Sequence, residues 1–174
     1  MPNTLIVVDM QKGFMAPGGT LYCGDDARRI IQPICQLVLE AERQGDQIIF
    51  TQDTHTPNDP EFQMFPPHCI RGTEDWEIIP ELADLAQKHT IVEKHRYSAF
   101  FRTDLERLLT DFKPQKITVV GNCTDICVMH TVADARNRDY AVEVPRQAVA
   151  SFDQEAHEFA LRHMEKVLGA KVIV

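Results

Sequence analysis

Basic charge is scarce in this chain of 174 residues: 18 Lys and Arg stand against 26 Asp and Glu, a formal net charge of −8. No Lys/Arg-rich run offsets that excess, so nucleic acid and anionic lipid would be repelled. Neither class of partner, nor a membrane, is expected. No apolar run approaches the roughly 18 residues of a membrane span. The apolar stretch Leu5–Val8 ends at Asp9 with no basic segment before it, and reads as a strand rather than a signal peptide. The five cysteines (23, 35, 69, 123 and 127) are odd in number and follow no framework spacing. With no export signal, that predicts reduced thiols in the cytoplasm. Repeats, low-complexity tracts and linkers are also missing. One domain spanning residues 1–174 is therefore expected, long enough to bury roughly 70% of its unfolded surface.

What the chain does have is alternation. Short apolar segments, expected as strands, lie at Thr4–Asp9, Gln47–Gln52, Thr90–Glu93, Lys116–Gly121, Ala141–Val144 and Lys171–Val174. Helical patterns separate several of them: about Ala27–Gln44, Thr103–Asp111, Asp125–Arg138 and Gln154–Leu168. Gly45 is the expected C-terminal cap of the first, and Pro33 inside it predicts a kink or a later start. A Ser151…Gln154 capping-box spacing opens the last helix. The pattern predicts an α/β fold with a parallel sheet covered by helices on both faces. In such folds, sites gather past the carboxyl ends of strands. Asp9, Asp53, Lys94 and Cys127 stand at the ends of four successive strands.

The stretch Thr124-Asp125-Ile126-Cys127-Val128 is the most telling. Gly121 turns the chain after a strand, Thr124 reads as an N-cap, and Cys127 falls in the first helical turn. The helix dipole and free N–H groups there would stabilise a thiolate, lowering its pKa from the ~8.5 of free cysteine. The plainer alternative is a small buried cysteine packing helix against sheet. Cys127 can serve as a nucleophile, and Asp9, behind four apolar residues, as a proton carrier whose pKa burial would raise. Lys94 could hold both by charge. Backbone N–H groups of Cys127 and of the Asn122–Cys123 turn could hold an oxyanion. A turn-forming Asp9 and a surface Lys94 are the structural alternatives. His130, one turn beyond Cys127, offers a Cys-His variant.

Asp53-Thr54-His55 leaves the second strand, and Glu61 and His68 follow in a loop rich in proline, His and acids. These four could bind one divalent metal. Their mixed nitrogen and oxygen donors suit Zn²⁺ first, with Mn²⁺ or Fe²⁺ as alternatives, and are too nitrogen-rich for Mg²⁺ or Ca²⁺. A polar turn explains Asp-x-His equally simply. Phe14, Phe65, Tyr97 and Phe100 could line a pocket or fill the core.

Five blocks in order carry a family resemblance: Val8-Asp9-Met10-Gln11-Lys12-Gly13-Phe14; Thr51-Gln52-Asp53-Thr54-His55; Phe65-Pro66-Pro67-His68-Cys69 with Gly72-Thr73; Lys94-His95-Arg96-Tyr97-Ser98-Ala99-Phe100; and Gly121-Asn122-Cys123-Thr124-Asp125-Ile126-Cys127-Val128. Together they resemble the isochorismatase-like cysteine hydrolases, and within them the nicotinamidases, also called pyrazinamidases. The resemblance implies a six-stranded parallel sheet in a Rossmann-like three-layer fold. It implies Asp9, Lys94 and Cys127 as catalytic triad, Asp53, His55, Glu61 and His68 as metal ligands, and a cis peptide at Asn122–Cys123. Glu61 is the ligand that varies among nicotinamidases. The implied reaction is hydrolysis of a small amide, nicotinamide, to nicotinate and ammonia through a thioester. N–H groups of Cys123 and Cys127 would hold the oxyanion, and Phe14, Phe65 and Tyr97 would flank the ring. Relatives that cleave carbamoyl or ureido amides share the triad and lack the metal ligands; they supply the competing reading. A homo-oligomer is left open.

Overall fold

A computed structural model describes residues 2–174. Its sheet is parallel throughout, with strands β1 (Thr4–Val8), β2 (Gln47–Asp53), β3 (Thr90–Lys94), β4 (Ile117–Asn122), β5 (Val142–Pro145), β6 (Val149–Ala150) and β7 (Lys171–Ile173). The order is β3-β2-β1-β4-β5-β7, and the two-residue β6 pairs only with β4. The expected six strands are present, with β6 as an added stub.

Side-chain alternation along β1 divides the interior. Leu5 and Val7 join a core shared with α1 (Lys12–Met15), α2 (Ile31–Gln44) and α3 (Pro80–Ala86). Ile6 and Val8 face the opposite core, filled from α4 (Leu105–Phe112), α5 (Met129–Asn137) and α6 (Gln154–Lys166). This is the three-layer arrangement expected of strands buried on both faces.

Several boundaries differ from expectation. Residues Asp25–Ile30 form a tighter 3₁₀ segment, and α2 begins at Ile31, leaving Pro33 in its first turn. Gly45 caps α2 at φ +71°, as expected. The short helix α3 was not anticipated; Pro80 at its first position was the available signal. Asp153, not Ser151, caps α6 by accepting from the Ala156 N–H. Ser151 turns away and donates to Asp125 Oδ1 at 2.6 Å. Gly121 has φ +113°, and a Cβ there would lie 2.1 Å from the Val8 carbonyl oxygen, so only glycine fits beside β1.

Candidate active site

The sheet register delivers the site. Asp53 and Lys94 are paired neighbours at the ends of β2 and β3. Asp9 follows β1 at φ +49°, a left-handed conformation uncommon outside glycine. Cys127 lies in a wide π-type turn, Thr124–Val128, between β4 and α5. Thr124 does not cap this turn as the sequence suggested: its hydroxyl pairs instead with His157 Nδ1 of α6 at 2.8 Å. The peptide Asn122–Cys123 is cis, as the resemblance implied.

Asp9, Lys94 and Cys127 come together in the interior, at 0%, 0% and 7% exposure. Lys94 Nζ lies 2.8 Å from Asp9 Oδ2, 3.2 Å from Asp53 Oδ1 and 3.3 Å from Cys127 Sγ. It also donates to the Arg96 carbonyl at 2.9 Å. A fully buried ammonium is tolerable only with such partners. Burial works against its charge, but Asp53 and Asp9 outweigh it and hold the Lys94 pKa well above normal. Asp9 Oδ1 accepts from the Thr51 hydroxyl at 2.6 Å, and Thr51 in turn accepts from the Asp9 N–H at 3.1 Å. Oδ2 meets Lys94 off the hydrogen-bond direction and has no aligned donor of its own.

Burial raises the Asp9 pKa, with Lys94 pulling against it, in line with the sequence reading. The Cys127 thiol behaves differently from expectation. Burial pushes its pKa well up, Lys94 offsets this only in part, and Asp9 and Asp53 add to it. At rest, the balance of burial and charge therefore disfavours a Cys127 thiolate. Burial, and after it the two carboxylates, act against the thiolate stabilisation expected of the turn.

On the other side of Asp53 lies a second cluster. Ligand-capable atoms of Asp53, His55, Glu61 and His68 all fall within 4.8 Å of one another, and all four residues are buried. Asp53 Oδ2 is 2.9 Å from His55 Nε2 and 3.4 Å from His68 Nε2, with Glu61 Oε1 3.9 Å from each ring nitrogen. The outer ring nitrogens are anchored: His55 Nδ1 to Asp59 at 2.9 Å, His68 Nδ1 to the Pro66 carbonyl at 2.8 Å. Anchoring of this kind orients Nε2 for ligation. Glu61 Oε2 is buried without a hydrogen-bond partner, an orphan that a cation would satisfy. The donor set fits a divalent transition metal. Burial opposes protonation of His55, yet Asp53 and Asp59 raise its pKa to about 9. Burial likewise opposes ionisation of Asp53, but Lys94 and the two imidazoles hold its pKa far below the usual range.

Among the aromatic candidates, Phe14 and Phe65 meet His68 edge-on, with ring centroids 5.9 and 6.1 Å away. Tyr97 lies 6.5 Å from Phe65 and 5.4 Å from His130. These three do gather beside the cluster. Phe100 does not: it packs into the α4–α6 core, with the Arg138 guanidinium 4.7 Å from its ring. His130 is exposed and donates to the Ile126 carbonyl of the preceding π-type turn, whereas Lys94 touches the sulfur.

Sequence reasoning missed three residues. Phe62 packs on both His55 and His68. Gln11 holds Asp53 through both its backbone groups, Nε2 to O and Oε1 from N, each 2.8 Å. Thr51 grips Asp9. Thr51 was discoverable from alternation, since it lies two residues before Asp53 on β2; Gln11 was not, because the left-handed Asp9 breaks the strand period before it.

With this geometry in hand, the relatives are informative. Residues 3–173 match the isochorismatase domain family. The chain belongs to that family. It is 41% identical over 181 aligned positions to a Bacillus subtilis protein described as uncharacterized isochorismatase family protein PncA, with 99% of each chain covered. The crystal structure of nicotinamidase PncA from Bacillus subtilis superposes at TM-score 0.94 with 40% identity, covering all of both chains. The pyrazinamidase of Pyrococcus horikoshii, solved in complex with zinc, gives 0.91 at 31% identity over 99% of each. Within the isochorismatase family, the chain is therefore similar to nicotinamidases and pyrazinamidases.

Proposed function

We propose that this protein hydrolyses nicotinamide to nicotinate and ammonia, with Asp9, Lys94 and Cys127 as catalytic residues. The observation that carries the reading is Lys94 Nζ, which touches Asp9, Cys127 and the metal-cluster residue Asp53 at once. An acid, a sulfur and a cation site thus share one wall. Asp9 takes the thiol proton as Cys127 Sγ attacks the carboxamide carbon, and Lys94 stabilises the sulfur anion that develops. N–H groups of Cys123 and Cys127 receive the oxyanion. Collapse breaks the C–N bond, Asp9 returns its proton to the departing nitrogen, and ammonia leaves a thioester on Cys127. Water then gives a proton to Asp9 and attacks the thioester carbon; the C–S bond breaks and the sulfur recovers the proton. Phe14, Phe65 and Tyr97 hold the ring. Asp53, His55, Glu61 and His68 would hold a divalent ion, Zn²⁺ by preference, supplying a Lewis-acidic anchor for the pyridine nitrogen. The five free thiols suit a reducing compartment such as the cytoplasm.

Ammonia release from nicotinamide, compared with release from a carbamoyl amide and with metal content measured on the same sample, tests this reading. Nicotinamide turnover supports it. Turnover of the carbamoyl amide alone would replace it with the carbamoyl-amidase reading, and no turnover of either would overturn both.

A further inference from the structure

Two thiols with no part in the proposed reaction stand in contact. Cys23 Sγ and Cys123 Sγ are 3.6 Å apart, although 100 residues separate them in sequence. We propose that Cys23 and Cys123 are a reversible disulfide site that shuts the enzyme down under oxidation by a hydroperoxide. The inhibitory half of this rests on the reaction proposed above; the bond itself does not.

The geometry favours closure. A disulfide needs an S–S separation of about 2.05 Å, so each sulfur has about 0.8 Å to travel. Neither side chain is held hard: the Cys23 thiol donates to the Leu21 carbonyl at 3.7 Å, and the Cys123 thiol to Asn122 Oδ1 at 3.8 Å, both long bonds from weak donors.

Both anchors connect to residues of the proposed site. Cys123 supplies a proposed oxyanion N–H, and the next residue, Thr124, is tied to His157. Cys23 donates its N–H to the Phe14 carbonyl at 2.8 Å, coupling its loop to a proposed ring-holding residue. Drawing the sulfurs together therefore displaces the oxyanion donor against a fixed neighbour, and misplacement on this scale is costly to catalysis.

The chemistry balances with a hydroperoxide as oxidant. Cys23, at 8% exposure against 4% for Cys123, attacks the peroxide oxygen; the O–O bond breaks, water leaves, and a sulfenic acid forms. Cys123 Sγ attacks that sulfur, the S–O bond breaks and a second water departs. Two thiols lose two electrons, and hydrogen peroxide becomes two waters. A dithiol reductant reverses the bond by exchange.

The test treats the metal-loaded protein with hydrogen peroxide and maps its peptides without reduction, beside Cys23→Ser and Cys23→Ala. Expected are a Cys23–Cys123 linked peptide, a fall in turnover of about tenfold or more, and recovery with dithiothreitol. Both variants should show basal turnover like the parent and keep it several-fold better under peroxide. Absence of the linked peptide overturns the proposal whatever the substrate proves to be. A linked peptide with equal peroxide sensitivity in the variants would overturn the regulatory role, placing the damage at Cys127.

Discussion

At the scale of single residues, the account turns on proton position. Asp9 has one oxygen fixed by Thr51 and the other left without an aligned donor beside Lys94. Thr51→Val should release that grip and lower kcat about 10²-fold with little change in KM, while Thr51→Ser, which keeps the hydroxyl, should retain most of the rate. Steady-state kinetics on the three proteins decides it; an equal fall in both variants would make Thr51 a packing residue only. The pH profile follows from the raised Asp9 pKa. Asp9 must be ionised to accept the thiol proton, so activity disappears as pH falls through its pKa. That acid limb should lie above the ordinary aspartate value of about 3.9. A profile flat to that value would show that another group takes the proton. Asp9, Asp53, Lys94 and Cys127 were legible in sequence because each lies at or just beyond the end of a segment read as a strand. The upward push on the Cys127 thiol was not, because it comes first from burial and then from two carboxylates delivered by other strands.

Elements were read well where periodicity was strong and less well where capping chemistry decided. Helix α6 was visible from its apolar face, yet its cap was assigned to Ser151, since spacing alone cannot distinguish a capping hydroxyl from one bonded elsewhere. Asp153→Ala should therefore cost about 1 kcal/mol in denaturant unfolding. A loss confined to Ser151→Ala would restore the original assignment. Helix α3 escaped notice because seven residues hold too few turns to show a period. Across the sheet, Glu143 on β5 pairs with Lys116 at 2.7 Å and Lys171 at 3.5 Å. Burial opposes its ionisation, but these lysines outweigh burial and lower its pKa. The stabilisation is then present above the unfolded value and lost as pH falls through the folded one. Glu143→Gln should cost ~0.2–1 kcal/mol near neutral pH and nothing in strong acid. A difference that persists in acid would assign the loss to packing.

For the whole molecule, the candidate cation site and the proposed nucleophile sit together past the carboxyl ends of the strands, joined through Asp53 and Lys94. The likeness of five separated blocks made this legible; spacing alone could not bring Glu61 and His68 back to Asp53. Chelation should lower the melting temperature, because a ligand held by the folded state alone stabilises it, and should weaken turnover mainly through KM. Unchanged kinetics after complete metal removal would refute the anchoring role. Attack of Cys127 Sγ on the amide carbon is the step on which the proposed reaction depends. Its most direct test is ammonia release from nicotinamide by metal-loaded Cys127→Ala, with folding and metal content matched to the parent. Loss of turnover by several orders of magnitude is expected; turnover near the parent rate would contradict the account.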